Sequence, residues 1–197
     1  MLVADGPTAA RAGRGFGAPE YGRALEIFNN IQAVSQQLDH ATLYRLALAV
    51  SLEHAAPVKQ VSPAANTDAP EFVDPVKRFQ HYEKAFLDGE LDPEFERLTI
   101  WELRMVVDGD EPDATLAWGR TMLRNLRPDH VTNSNFGWRY VNIVGSDVKY
   151  GSENVKHDRP ELQKYQNILM NGGVCGRRAF FGRFILRSFG VPTIARP

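Results

Sequence analysis

The residue best equipped for chemistry is Cys175, the only cysteine in a chain of 197 residues. Glycines surround it at Gly172, Gly173 and Gly176. A thiolate is a strong nucleophile, but a free thiol with its ordinary pKa of about 8.5 is only slightly ionised at neutral pH. Position can change that. Cys175, Ala179, Gly182, Leu186 and Phe189 recur at helical spacing, and Gly190, Val191 and Pro192 end the run. The spacing predicts a helix that starts at Cys175, closes with a left-handed Gly190 and gives way to a strand near Thr193. The unpaired N–H groups of a helix start carry partial positive charge, which favours a thiolate and can face an oxyanion on an attacked carbonyl. Arg177 and Arg178 add charge in the same turn, and the glycines allow a sharp bend with room beside the sulfur. The expected site is therefore Cys175 as nucleophile with a lowered pKa, supported by Gly173, Gly176 and Arg177. The opposing reading is a buried cysteine acting as a small hydrophobe. Arg183 and Arg187 read as a solvated or salt-bridged face.

The elements that must position this stretch are mostly helical. Residues 1–19 are a loose lead-in rich in Gly, Ala and Pro. From Glu20, Ala24, Ile27, Phe28 and Ile31 share one helical face. A second helix carries Leu43, Leu46, Ala47 and Val50 and ends near His54. Residues 56–70 hold three prolines and read as a loop. Asp74 and Pro75 open a third helix, with Phe79, Tyr82, Glu83 and Phe86 on its face and Gly89 as its stop. Thr99 and Glu102 form a capping box for a fourth. Asp108 to Asp113 is an acidic turn that lacks the spacing of a calcium loop and reads as solvated. A helix over about Asp113–Leu126 follows. Residues 136–150 are rich in aromatic and β-branched types, which predicts one strand or a short hairpin. Asp158, Pro160 and Glu161 cap a further helix with Leu162, Tyr165 and Leu169 inward, and Asn171 to Gly173 break it.

Composition excludes several function classes. The chain has 23 Lys and Arg against 24 Asp and Glu, for a net charge of −1. That balance argues against nucleic acid or an anionic membrane surface as a partner. No apolar run reaches the roughly 20 residues of a membrane span, and no signal-peptide pattern opens the chain. A lone cysteine forms no internal disulfide, so the default compartment is reducing, the cytoplasm. One cysteine and scattered histidines give no metal-ligand spacing, and no phosphate-binding glycine loop is present. No cofactor and no metal are expected.

The stretch Gly173, Val174, Cys175, Gly176, then Ala179, then Leu186, Arg187, Gly190, Val191 and Pro192 resembles the nucleophile region of the transglutaminase-like superfamily. The resemblance covers residues 110–197 and leaves 20–107 as a helical N-terminal extension. It implies an α+β papain-like core and a Cys-His-Asp triad in that chain order, acting as peptidase, amidase or acyltransferase on a protein or peptide through a thioester. His40, His54, His81, His130 and His157 all precede Cys175, so the implied His and Asp lie beyond residue 197 and the sheet is incomplete. The chain then reads as the N-terminal portion of a longer protein, inactive on amides by itself. The stripe of Ala179, Gly182, Leu186 and Phe189 would be exposed unless a partner or self-association covered it. The rival classes are a non-catalytic transglutaminase-like module and a helical interaction protein built on residues 20–107.

Overall fold

The computed structural model describes residues 18–35, 37–60 and 71–194. Within them the regular elements are all helices: α1 (Ala18–Val34), α2 (Ala41–Glu53), α3 (Pro75–Leu87), α4 (Ile100–Val107), α5 (Asp113–Leu126), α6 (Pro128–Val131), α7 (Ile143–Ser146), α8 (Lys164–Asn171) and α9 (Cys175–Ser188). Short 3-10 turns occupy Pro93–Arg97 and Val155–His157. The expected lead-in and loop fall mainly on residues 1–17 and 61–70, outside the described residues.

Local chemistry explains most boundaries. Asp74 accepts hydrogen bonds from the N–H groups of Val76 and Lys77 and puts Pro75 at the first turn of α3. Gly89, with φ of 67°, stops that helix. Thr99 and Glu102 make the reciprocal capping box of α4. The first four helices share a core in which Ile31, Leu43, Leu46, Phe79 and Leu103 are buried. The ion pair between buried Glu53 and Arg104 (3.1 Å) links α2 to α4.

The α+β papain-like expectation is overturned. Among the described residues there is no strand, only two isolated bridges, Lys59 with Phe72 and Tyr150 with Gly173. Residues 136–150 coil into successive turns and α7. The N–H groups of Asn142, Ser146 and Asp147 donate to the carbonyls of Trp138, Asn142 and Ile143 at 3.1, 3.1 and 2.9 Å. Backbone groups satisfied locally leave no row of donors and acceptors for a sheet. The aromatic and β-branched residues that suggested a strand instead plug the core: Tyr140 stacks on Phe189 with centroids 4.1 Å apart, and Ile143 and Val148 are buried. Residues 191–194 likewise form no strand.

Helix α9 is covered by α5, α7 and α8 rather than by a sheet. The expected exposed stripe is divided: Ala179 is exposed, Leu186 half-buried, and Gly182 and Phe189 buried. Gly182 lies against Val141 and Val144, where an added Cβ would come within 3.2 and 3.3 Å of their methyl groups. Tyr165 of α8 stacks on both Phe180 (5.2 Å) and Phe184 (3.8 Å), and Trp118 of α5 stacks on Phe184 (6.0 Å). Aromatic stacking of this kind adds about 0.5–1.5 kcal/mol per pair beyond buried area. The far end of α9 is closed by a Schellman motif. The Val191 N–H donates to Leu186 O and the Gly190 N–H to Arg187 O, with Gly190 at φ of 75°.

Candidate functional site

Cys175 is the first residue of α9 and its side chain is exposed. The approach is a fixed backbone path. Gly173 N–H donates to Lys149 O (3.0 Å) and Gly151 N–H donates to Gly173 O (3.2 Å), forming the parallel bridge with Tyr150. Gly172 takes φ of 72°, and a Cβ there would stand 2.3 Å from Lys149 O. Only glycine combines that conformation with that approach. Gly173 is crowded by Arg177, whose Cβ would lie 2.6 Å from an added methyl. At Gly176 an added Cβ would meet nothing within 4 Å, so the residue after the exposed Cys175 faces open space.

Val174 is the N-cap of α9 and supplies no side-chain acceptor. The first-turn N–H groups, which include those of Cys175 and Gly176, lack intrahelical acceptors by helix geometry. They are the donors an oxyanion would meet. The two arginines do other work. Arg177 pairs with Asp158 through Nη1 at 2.6 Å, and Asp158 also accepts from Asn171 (3.0 Å). This pairing holds the Asp158 carboxyl below its usual range. Arg177 thereby ties the two sides of the glycine turn, so its role is mechanical and its charge is matched by a carboxylate. Arg178 donates to Val144 O (2.5 Å) and lies over the Tyr150 ring. Asp158, expected to cap a helix, thus braces this turn, and α8 begins later, at Lys164.

Among the described residues Cys175 has no hydrogen bond to an imidazole or carboxylate. The histidines lie elsewhere. His40 accepts from Thr42 N–H at the start of α2, buried His54 bonds Val107 O, and buried His130 bonds Ser146. His157 sits in an exposed 3-10 turn. His81 is packed beside Arg120, whose Nη1 lies 3.1 Å from its Nε2. Arginine can only donate, so Nε2 is the acceptor and the ring is neutral.

Burial, and then the charges of Arg120 and Arg78, push His81 from 6.5 down to about 3. The unfolded chain therefore binds a proton that the folded chain refuses between those values. The His81 contribution to stability is complete above pH 6.5 and is lost as pH falls toward 3. We expect chemical-denaturation midpoints of the wild type to drop as pH is lowered from 7 to about 5, where carboxylates remain ionised. His81→Gln should flatten that segment. An unchanged slope in the variant would exclude His81 as its source.

The α9 helix is anchored by a buried ion network that the sequence did not disclose. The acidic turn is not solvated: Asp108 and Glu111 are buried. Arg187 of α9 pairs with Asp108 (2.6 Å) and approaches Glu111 (3.6 Å). The phenol of Tyr165 donates to Glu111 at 3.1 Å, and that of Tyr82 to Arg187 O at 3.0 Å. Burial, then Glu111, pushes the Asp110 carboxyl above its ordinary value. Fully buried Arg78 completes the network. It pairs with Asp113 (2.5 Å) and donates to Val107 O, Gly109 O and Glu111 O. The partners lie too far apart in the chain for local pattern to reveal them.

No group of three or more His, Cys, Asp or Glu among the described residues is placed to hold a metal ion. No described helix is long and apolar enough to cross a membrane. The arrangement at the start of α9 offers a surface thiol on a rigid turn, with backbone donors beside it. No family model, curated protein or solved structure matches the chain.

Proposed function

We propose that this chain carries the nucleophile of a thiol acyl-transfer reaction of the transglutaminase-like kind, with Cys175 attacking an amide or ester carbonyl of a protein or peptide. The observation that carries this reading is the exposed Cys175 at the first residue of a 14-residue helix, on a turn that only glycine at 172 permits. In the reaction the Sγ–C bond forms and the C–N or C–O bond breaks. The thiol proton leaves to a base, and the amine or alcohol departs protonated. Water or an amine then cleaves the thioester and restores the thiol. The first-turn N–H groups stabilise the oxyanion at both steps. The base and its orienting carboxylate come from outside the described residues.

A second reading, a helical module for protein interaction in which the thiol does no catalysis, is favoured by the all-helical architecture and by a thiol without an imidazole. One experiment separates the two. Treated with p-nitrophenyl acetate, the folded chain is expected to gain one acetyl group on Cys175, detected by intact mass. The reaction should be at least about tenfold faster than in the urea-unfolded chain, because the oxyanion donors exist only in the fold. Cys175→Ala should abolish the adduct, and unactivated peptide amides should be left intact. Equal acylation of folded and unfolded chains would sink the catalytic reading and leave the interaction module.

A further inference from the structure

The other end of α9, about 20 Å from Cys175 by helix rise, borders a separate cleft. It has a volume of about 280 Å³, and its lining includes Glu90, Leu91, Arg124, Val131, Arg139 and Phe189. That is just below the range of drug-sized ligands and suits a small metabolite. Its floor is the stacked pair Tyr140 and Phe189, both buried. Tyr140 holds φ of 63°, the one described non-glycine residue with positive φ. A bulky side chain rarely takes that conformation and keeps it only where the surrounding structure enforces it. Here the enforcement is visible: the Tyr140 phenol donates to Asp92 (2.9 Å) and its N–H donates to His130 O (3.0 Å).

The charges around the cleft do not cancel. Glu90 is shared by Arg120 (2.8 Å) and Arg124 (3.3 Å), while Asp92 serves Arg139 at 3.3 Å. Of the residues that line the cleft, Arg124 and Arg139 are cations and Glu90 is the carboxylate, so the lining itself carries an excess of one positive charge, with Arg120 and Asp92 set behind it. Arg124 and Arg139 come from different elements. The first lies over the Phe189 ring (5.6 Å) and donates to Glu90 O, and the second lies over Phe136 (4.5 Å) and donates to Asn133 O, so both groups are held in place. Leu91, Pro93 and Val131 give the cleft an apolar side.

We infer that this cleft is a binding site for a small monocarboxylate with an apolar body, its carboxylate held by Arg124 and Arg139 and its body against Leu91 and Val131. Such a ligand supplies the missing negative charge and matches guanidinium geometry. Benzoate is a suitable probe, with benzamide as its neutral isostere and acetate as the form without the body.

Titration of the full chain by calorimetry or amide NMR shifts is expected to show saturable benzoate binding, with benzamide and acetate each at least about tenfold weaker. Arg124→Gln, at a half-exposed position, should weaken benzoate by about tenfold while the chain still melts cooperatively. Glu90→Gln removes a competing carboxylate and should tighten it. Cys175→Ala should leave binding unchanged, which keeps this site independent of the thiol reading. No saturable benzoate binding, equal binding of benzoate and benzamide, or an Arg124→Gln variant that binds as the wild type would each overturn the inference.

Discussion

Arg78→Ala is expected to cost about 3–5 kcal/mol of stability and to lower the melting temperature by roughly 10 °C. Arg78 is 0% exposed, and its guanidinium bonds one carboxylate and three backbone carbonyls of the segment 107–113. Truncation removes a buried cation together with every donor those acceptors have from it. Asp113 loses its partner, and three carbonyls are left facing a cavity, each at about 1–3 kcal/mol if unmet by water. Arg78→Lys should recover only part of the loss, because an ammonium cannot reproduce the planar fork. Thermal melts of both variants, with far-ultraviolet circular dichroism as the probe, measure the effect. A drop of less than about 1 kcal/mol in Arg78→Ala would mean that the network is hydrated rather than dry.

This network is also the part of the fold that the sequence leaves illegible. The capping devices at Asp74, Thr99 and Glu102, the helix stops at Gly89 and Gly190, and the start of α9 at Cys175 are legible because each depends on neighbours within a few residues. Helical periodicity likewise located the core faces of α1 to α3. The acidic turn reads as solvated because its counter-charges are remote, Arg187 lying 79 residues beyond Asp108. Residues 136–150 read as a strand for a different reason. Strand propensity measures how well a side chain fits a half-buried surface, and aromatic residues fit a helical core equally well. Tyr140 and Ile143 are used as wedges between helices, a role that composition does not distinguish from pairing in a sheet. The papain-like core implied by the Cys175 motif is not formed, for neither residues 136–150 nor those from Thr193 to Ile194 make a strand. The motif's local geometry, a thiol at a helix start after a glycine turn, is present without it.

Gly172→Ala should be the most damaging change at the thiol. Its φ of 72° costs a residue with a Cβ about 1–3 kcal/mol. The added methyl would also sit 2.3 Å from Lys149 O, a backbone atom that cannot swing aside. The turn must then open, breaking the bonds between Gly173 and residues 149–151 that set the direction of α9 at Cys175. We expect the acylation of Cys175 by p-nitrophenyl acetate to fall to the rate of the unfolded chain, while most of the helical dichroism is retained. Gly176→Ala is the matched control. Its Cβ would enter open space, and alanine is the better helix former, so stability should be unchanged or slightly higher, within about 1 kcal/mol. If both alanine variants acylated like the wild type, the glycine turn would have no part in presenting the sulfur.

The bond from the Tyr82 phenol to Arg187 O spans 105 residues. Two further contacts join the same regions: Asp92 N–H to Phe189 O, and Gly190 against the Phe95 ring. On the ribosome, α3 and the segment after it emerge long before their partner in α9 exists. At ordinary elongation rates of about 5–20 residues per second, the interval is roughly 5 to 20 seconds. Throughout it, Tyr82 and Phe95 lack the helix that covers them in the finished core. A nascent chain paused before Arg187 should therefore be a substrate for ribosome-associated holdases, and release of α9 from the exit tunnel should end that dependence.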